Sequence, residues 1–297
     1  MNNAMHQQIL FDLDDTLVHC NKYFDLILDQ FADLLTDWFK PFGIATEEIR
    51  GKQTEIDVAG VHQIGFASSH FPESLVDTYR YYTRLTGRKL LPEEEDRLMK
   101  LGLSVYEQPI EPYPGMVETL NLLRSQGHEL HLYTGGETVI QQRKIEQMRL
   151  ADYFQDRIYI RQHKNAEALE DILLTRRFDR SRTWMIGNSL RTDVMPAISA
   201  GIKAIYIKIP NEWLYNIVEL QHDGDAEMHT VTSLEEVPRV IFNQIHHAKR
   251  QKRPCKRSVF GSCGGLRCYS LKTRSLECLV KHPLHRVRLS RDRKQNE

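Results

Sequence analysis

The sequence lacks the features that mark membrane-spanning and disulfide-bonded secreted proteins. It contains no run of eighteen or more apolar residues, and no charged-then-apolar leader precedes Ile9. Cysteine is scarce, since Cys20 stands alone in the first 247 residues. The other four, Cys255, Cys263, Cys268 and Cys278, match none of the common CxxC spacings of zinc sites. We therefore expect a cytoplasmic protein with free thiols and no membrane partner.

An excess of one charge sign is also lacking, because 40 basic and 40 acidic residues cancel. The signs are nonetheless unevenly distributed: residues 248–297 carry fifteen Lys and Arg against three acids, so the preceding part is acidic. Apolar periodicity ends after His247, and we predict a basic, disordered tail over 248–297. Such a tail can bind nucleic-acid phosphates, but Phe260 and Tyr269 are its only aromatic residues. A nucleic-acid-associated role is therefore the weaker alternative.

Strand-like and helical segments alternate from residue 116 onward, which predicts an α/β fold. Helices are predicted at 116–126, 137–148, 165–176 and 191–200, and strands at 129–133, 157–160, 183–186 and 204–207. This alternation implies right-handed crossovers and a parallel sheet with helices on both faces, a three-layer Rossmann-like core. A last strand at 229–231 and a closing helix at 233–247, with Ser233 as N-cap and Glu236 in a capping box, complete it.

A long helical segment separates the first predicted strand, near Ile9, from the second. Helices are predicted at 23–39, 47–59, 72–86 and 92–106. The proline-rich phrase from Pro109 to Gly115 marks the return to the core. We therefore predict a core domain of residues 1–18 and 110–247, and an inserted α-helical cap of residues 19–109.

Three carboxylates follow the first strand directly. If the strand continues, Asp12 and Asp14 lie on one side and Asp15 points away from the pocket. Two carboxylates held close together repel, and a hard cation such as Mg²⁺ relieves that repulsion. The alternative is an Asp-rich turn in which Asp14 or Asp15 caps the next helix.

Polar residues also follow the next two strands. Thr134, with the backbone N–H groups of Gly135 and Gly136, could hold the oxygens of an anion, although Thr134 could equally be a helix N-cap. Lys164 precedes a helix and could neutralise the carboxylates and a phosphate. Arg161 and His163 compete with Lys164 for this position, and we prefer Lys164.

The fourth strand is followed by Gly187 and Asn188, with Asp193 five residues further on. Gly187 permits a tight exit from the strand, while Asn188 and Asp193 can each offer an oxygen to a hard cation. Asn188 or Ser189 could instead cap the next helix.

Taken in chain order, these residues resemble the four motifs of the haloacid dehalogenase-like (HAD) hydrolase superfamily. The motifs are Asp12-x-Asp14-x-Thr16, then Thr134, then Lys164, then Gly187-Asn188-x4-Asp193. The resemblance spans about residues 8–247, and the helical insertion falls between the first two motifs, where members with an α-helical cap carry it. Asp14 favours phosphoryl chemistry, because the dehalogenases of the superfamily lack a second aspartate there. Many members have Asp at the position of Asn188, so one metal ligand is neutral here.

The resemblance implies a role for each of these residues. Asp12 would attack a phosphoryl group and form an aspartyl-phosphate, and Asp14 would protonate the leaving alcohol and later activate water. Thr134, Gly135 and Lys164 would bind the phosphoryl oxygens. Asp12, the backbone carbonyl of Asp14, and Asn188 or Asp193 would hold Mg²⁺.

The resulting hypothesis is a Mg²⁺-dependent phosphatase that acts on a small phosphorylated metabolite, with a phosphomutase as the alternative. The sequence identifies neither the substrate nor the oligomeric state. Its most interaction-capable cap cluster is predicted to be Tyr79, Arg80, Tyr81, Tyr82 and Arg84.

Overall fold

One parallel β-sheet forms the centre of the fold. The computed structural model describes residues 6–219 and 228–251, with side chains up to His247. Its strands are β1 (Gln8–Phe11), β2 (Glu129–Gly135), β3 (Ile158–Arg161), β4 (Thr183–Gly187), β5 (Lys203–Ile207) and β6 (Met228–Val231). Their order is β3-β2-β1-β4-β5-β6, and every neighbouring pair is parallel. The predicted α/β fold with a Rossmann-like parallel core is confirmed.

Helices cover both faces of this sheet. The helices in chain order are α1 (Asn21–Phe39), α2 (Thr46–Ile64), α3 (His70–Thr86), α4 (Pro92–Leu103), α5 (Met116–Ser125), α6 (Thr138–Gln147), α7 (Ala151–Phe154), α8 (Ala166–Thr175), α9 (Met195–Ser199) and α10 (Val237–Gln251). Strand alternation sends Ile9 and Phe11 into one apolar layer, with side chains of α5, α6 and α10. Leu10 enters the opposite layer, with side chains of α8 and α9. The predicted three layers are therefore present.

Helices α1 to α4 bury an apolar cluster of their own. Ile27, Phe31 and Leu35 recur at four-residue spacing on α1 and pack with side chains of α3, including Leu75 and Tyr79. This separate core supports the proposed division into a core domain and a helical insertion at residues 19–109. None of the helices in the described ranges is long and apolar enough to cross a membrane.

Helix α2 extends five residues past its predicted end, α4 ends three residues before its predicted end, and the short helix α7 was not predicted. Two further predicted helices differ from the structure in kind or in length. The segment at 191–200 begins with a turn of π-helix, Leu190–Val194, in which the Val194 N–H donates to the carbonyl of Ser189 over 3.1 Å. The closing helix α10 runs to Gln251, so the irregular tail cannot begin at residue 248 as predicted. The predicted disorder and the four tail cysteines lie outside the described residues.

Candidate active site

The candidate residues meet at the carboxyl ends of the central strands. Asp12 and Asp14 follow β1, Thr134 lies near the end of β2, Lys164 follows β3 and Asn188 follows β4. All five line one cavity of about 540 Å³, which also reaches the helical insertion. Asp193 lies beneath this cavity and contacts Lys164. Ligands of open parallel sheets bind at this edge, so the fold itself places the site here.

Lys164 is the central cation of the site. Its buried ammonium forms ion pairs with Asp12 and with Asp193, the latter over 2.5 Å, and lies 5.1 Å from the centre of the Tyr133 ring. Burial lowers the pKa of Lys164, but Asp12 and Asp193 outweigh it, and the pKa is raised overall. The competing candidate Arg161 pairs with Asp171 over 3.4 Å, at the exposed end of β3. Lys164 therefore holds the position next to Asp12.

Asp12 is held in place from two directions. Its backbone N–H donates to the carbonyl of Ile186 over 2.9 Å, and its carboxylate accepts from the Lys164 ammonium. Burial raises the pKa of Asp12; Lys164 opposes this shift, while Asp193 and Asp14 add to it. The ionised form of a buried carboxylate that is destabilised in this way is stabilised by any further cation in the cavity.

Asp14 is bound by two side chains of α6 that the sequence analysis missed. The Lys144 ammonium lies 2.6 Å from one oxygen of Asp14, and the Gln141 amide donates to the other over 2.8 Å. The Gln141 amide nitrogen also lies 2.6 Å from the Thr134 hydroxyl. Gln141 and Lys144 are three residues apart on one helix face. Two polar residues at this spacing, in the helix after Thr134, are the sequence pattern that could have indicated them.

Asp15 does not follow the predicted strand alternation. Strand β1 ends at Phe11, and Asp15 adopts a left-handed conformation with φ of 56°. Its carboxylate accepts 2.9 Å hydrogen bonds from the backbone N–H groups of Cys20 and Asn21, at the start of α1. Burial raises the pKa of Asp15 to about 6, with the two N–H donors opposing. Asp15 lines the cavity rather than pointing away, and it fits the helix-capping alternative.

Asn188 is oriented by hydrogen bonds on both ends of its amide. Its side-chain nitrogen donates to the carboxylate of Glu212 over 3.0 Å, and its oxygen accepts from the Thr16 hydroxyl over 3.2 Å. Glu212 also accepts from Asn216 over 2.7 Å. No motif in the sequence indicated Glu212, although this residue lies in the loop after β5 and thus at the ligand-binding edge of the sheet.

Asp193 is packed tightly below the cavity. One carboxylate oxygen accepts from the Ser189 N–H over 2.9 Å, and the other pairs with Lys164. A Cβ atom at Gly187 would lie 2.1 Å from the first oxygen, so glycine is required there by this close approach. Ser189, rather than Asn188, caps the following turn through the Thr192 N–H.

The donor set fits a hard divalent cation. Asp12 and Asn188 face the cavity with a carboxylate and an amide oxygen, which are ligand types that Mg²⁺ accepts. Asn188 lines the cavity and Asp193 does not, so Asn188 is the better placed ligand of the two. Within the described residues no group of three His, Cys, Asp or Glu is arranged to hold a metal ion.

The predicted cap cluster lies elsewhere. Tyr79 is fully buried and donates to Glu94 over 2.6 Å, Arg80 pairs with Glu95, and none of the five residues lines the cavity. Helices α1 and α2 contribute the lining instead, through residues such as Phe24 and Asp57. Periodicity alone did not show which helix of the insertion faces the sheet.

The fold and the site define a Rossmann-like α/β protein with a buried aspartate–lysine pair at the carboxyl edge of its sheet. A family model of haloacid dehalogenase-like hydrolases matches residues 7–201. The chain belongs to this family and is an enzyme of the hydrolase class, which confirms the resemblance drawn from its motifs.

Three similar proteins illustrate this relationship. A glyceraldehyde 3-phosphate phosphatase from Methanothermobacter thermautotrophicus is 24% identical over 211 residues, covering 68% of this chain and 86% of the relative. The pyrimidine 5'-nucleotidase YjjG from Escherichia coli is 28% identical over 154 residues, covering 50% and 64%. The crystal structure of a haloacid dehalogenase-like family hydrolase from Xanthomonas campestris shares the fold, with a TM-score of 0.67, 23% identity and coverage of 84% and 95%.

Proposed function

We propose that this enzyme is a Mg²⁺-dependent phosphatase that hydrolyses a small phosphomonoester through an aspartyl-phosphate on Asp12. The observation that carries the proposal is the buried contact of Asp12 with Lys164, at the carboxyl ends of β1 and β3. A carboxylate needs such a cation to meet a phosphate dianion without prohibitive repulsion. The named activities of the two phosphate-releasing relatives support the same reaction class.

In the first step an oxygen of Asp12 attacks phosphorus, and the bond from phosphorus to the leaving oxygen breaks. Lys164, the Thr134 hydroxyl and the Gly135 N–H bind the phosphoryl oxygens and stabilise the charge that develops on them. Asp14 gives a proton to the leaving alcohol. Lys144 and Gln141 each donate to one oxygen of Asp14 and so hold its carboxyl group in place.

In the second step Asp14 takes a proton from water, the water oxygen attacks phosphorus, and the bond to Asp12 breaks. Asp12, Asn188 and the Asp14 backbone carbonyl would hold Mg²⁺, with Asp193 beneath them. The cation supplies charge neutralisation between the anionic nucleophile and the anionic substrate.

In this proposal the helical insertion acts as a cap over the site. It contributes one wall of the cavity, and several hydrogen bonds join it to the core. The Ser68 N–H donates to Glu137 over 2.8 Å, and the Phe66 N–H donates to the carbonyl of Gln162 over 3.0 Å. We propose that residues 19–109 cover the site and exclude bulk water during the reaction.

The test is phosphate release from 4-nitrophenyl phosphate with and without Mg²⁺. Asp12→Asn keeps the shape of the side chain but removes the nucleophile, so we expect phosphate release to fall at least about a thousandfold. Asp156→Asn is the control, because Asp156 is exposed and pairs with Arg176 at the surface. Phosphate release by Asp12→Asn at the control rate would refute the proposal.

A phosphomutase remains the alternative within the same chemistry. It would conserve the total phosphate ester, whereas a phosphatase releases inorganic phosphate in proportion to the substrate consumed. Phosphate counting with a sugar monophosphate therefore separates the two reactions.

A further inference from the structure

The cavity is much larger than a phosphate group requires. Its volume of about 540 Å³ falls in the range of pockets that hold a drug-sized ligand. It extends from Asp12 to helices α1 and α2 and to the loop after β5. The part away from Asp12 must therefore accommodate the leaving group of the ester, and its chemistry selects that group.

Apolar and aromatic side chains dominate this distal part. They come from the insertion and from the loop after β5: Phe24, Leu28, Phe66, Phe71, Val105 and Trp213. Phe24 and Phe71 meet edge to face, with ring centres 4.7 Å apart. Aromatic side chains of this kind can pack against the apolar face of a planar group.

The lysines and the arginine that line the cavity, within the described ranges, all have partners already. Lys164 is bound by Asp12 and Asp193, and Lys144 is bound by Asp14. Arg143 donates to the backbone carbonyls of Tyr106 and Gln108. The charges of Lys144 and Lys164 are therefore already matched by carboxylates at the site, and of the three cations only Arg143 bonds to neutral carbonyls.

The histidines offer no better partner. His19 stacks on Tyr113 with ring centres 4.0 Å apart, and burial lowers its pKa, with Lys22 acting in the same direction. The His70 ring nitrogen contacts the backbone carbonyl of Asp57 at 2.8 Å and lies 3.6 Å from its carboxylate.

The distal wall instead presents negative charge. Asp57 lines the cavity, although only 7% of its surface is exposed, and the Trp213 side chain donates a hydrogen bond to it. Asp25 lies on the same wall, on α1. A carboxylate or second phosphate placed here meets like charge in a poorly hydrated space, where repulsion is strong.

From this arrangement we infer that the substrate is a monophosphate ester of a neutral leaving group with a ring-sized apolar face, and that esters with a second anionic group are rejected. The inference rests on the proposed phosphatase function and narrows it. Nucleoside monophosphates belong to the accepted class, whereas sugar bisphosphates and phosphorylated carboxylic acids lie outside it.

A matched pair of esters tests this selectivity. The compounds 4-carbamoylphenyl phosphate and 4-carboxyphenyl phosphate have nearly the same size and differ by one negative charge at the end remote from phosphorus. We expect kcat/KM to be at least about tenfold higher for the carbamoyl ester, mainly through a lower KM. Asp57→Asn should lower the ratio of the two kcat/KM values several-fold, because it removes a negative charge from the cavity wall. Glu73→Gln is the control, since Glu73 is exposed on the same insertion, outside the cavity, and should leave the ratio unchanged.

The outcomes test the substrate selectivity separately from the phosphatase activity. Equal kcat/KM values for the two esters, or a preference for the carboxyl ester, would overturn the inference and leave the phosphatase assignment intact. An unchanged ratio of kcat/KM values in Asp57→Asn would show that Asp57 does not contribute to the inferred selectivity. Failure to release phosphate from either ester, or from 4-nitrophenyl phosphate, would refute the proposed function and the inference with it.

Discussion

Replacing Lys164 with methionine isolates the electrostatic role of the buried cation. Methionine fills a similar volume but leaves the carboxylates of Asp12 and Asp193 buried without a counter-charge. Removing one partner of a buried ion pair costs about 3–5 kcal/mol. For a chain of this size about 1 kcal/mol corresponds to about 2–4 °C in Tm, so we expect Tm to fall by about 6–20 °C.

The assay is thermal unfolding followed by circular dichroism, without added metal. Asp193→Asn in the Lys164→Met background removes one of the two orphaned charges and should recover part of the lost Tm. With Asp193→Asn alone measured as well, the non-additivity of the double mutant gives the coupling between the two residues. A Lys164→Met protein that unfolds at the wild-type temperature would refute the reasoning, as would a double mutant that is less stable than Lys164→Met.

Two further predictions concern packing and pH. Gly187→Ala should destabilise the fold by about 1–3 kcal/mol in urea unfolding, because the new Cβ would collide with the Asp193 carboxylate. Gly51→Ala, in α2 with nothing near its Cβ position, should be neutral or stabilising, and the reverse order would contradict the packing argument. Burial lowers the pKa of His128 from 6.5 to about 4, with His6 adding to the shift. Between these pKa values the unfolded chain binds a proton at His128 and the folded chain does not. His128 therefore lowers the free energy of unfolding by up to about 3 kcal/mol as pH falls from about 6.5 to about 4. His128→Asn keeps an acceptor for the Gln7 N–H and should lose less Tm between about pH 7 and about pH 5 than the wild type; an equal loss would exclude this origin.

Much of the fold could be predicted because strands and helices leave strong local patterns. The apolar strand segments and the glycine and proline boundaries located most elements of the core to within a few residues, although the short helix α7 was missed. Ser233 with Glu236 forms the predicted capping box. The exceptions have local causes. Pro196 lacks an N–H group and sits in the first turn of α9, and the segment before it adopts a π-helical turn that no periodicity indicated.

Residues placed by strand ends were predictable, and residues placed by helix packing were not. Asp12, Thr134, Lys164 and Asn188 lie at or just after strand ends, so a parallel sheet brings them to one edge whatever its strand order. Gln141 and Lys144 reach Asp14 only because α6 packs next to the end of β1, which is a long-range property. The same reason made the Tyr79 cluster a wrong choice for the cavity wall, since orientation of the insertion is set by its apolar core.

Asp15 shows how one assumption can misplace a side chain. The alternation rule holds only while the strand continues, whereas β1 ends at Phe11 and Asp15 adopts a left-handed conformation. Asp14 is still brought to the site, by a turn rather than by the strand. The capping alternative described Asp15 better than strand alternation did.

The central claim is covalent catalysis by Asp12, and chemical trapping tests it most directly. Borohydride reduces an aspartyl-phosphate to homoserine, whereas it leaves a free carboxylate unchanged. Mass spectrometry of the enzyme quenched during turnover of an aryl phosphate should show homoserine at position 12, and only when substrate is present. Rapid phosphate release with an unmodified Asp12, or with homoserine at another aspartate, would contradict the account.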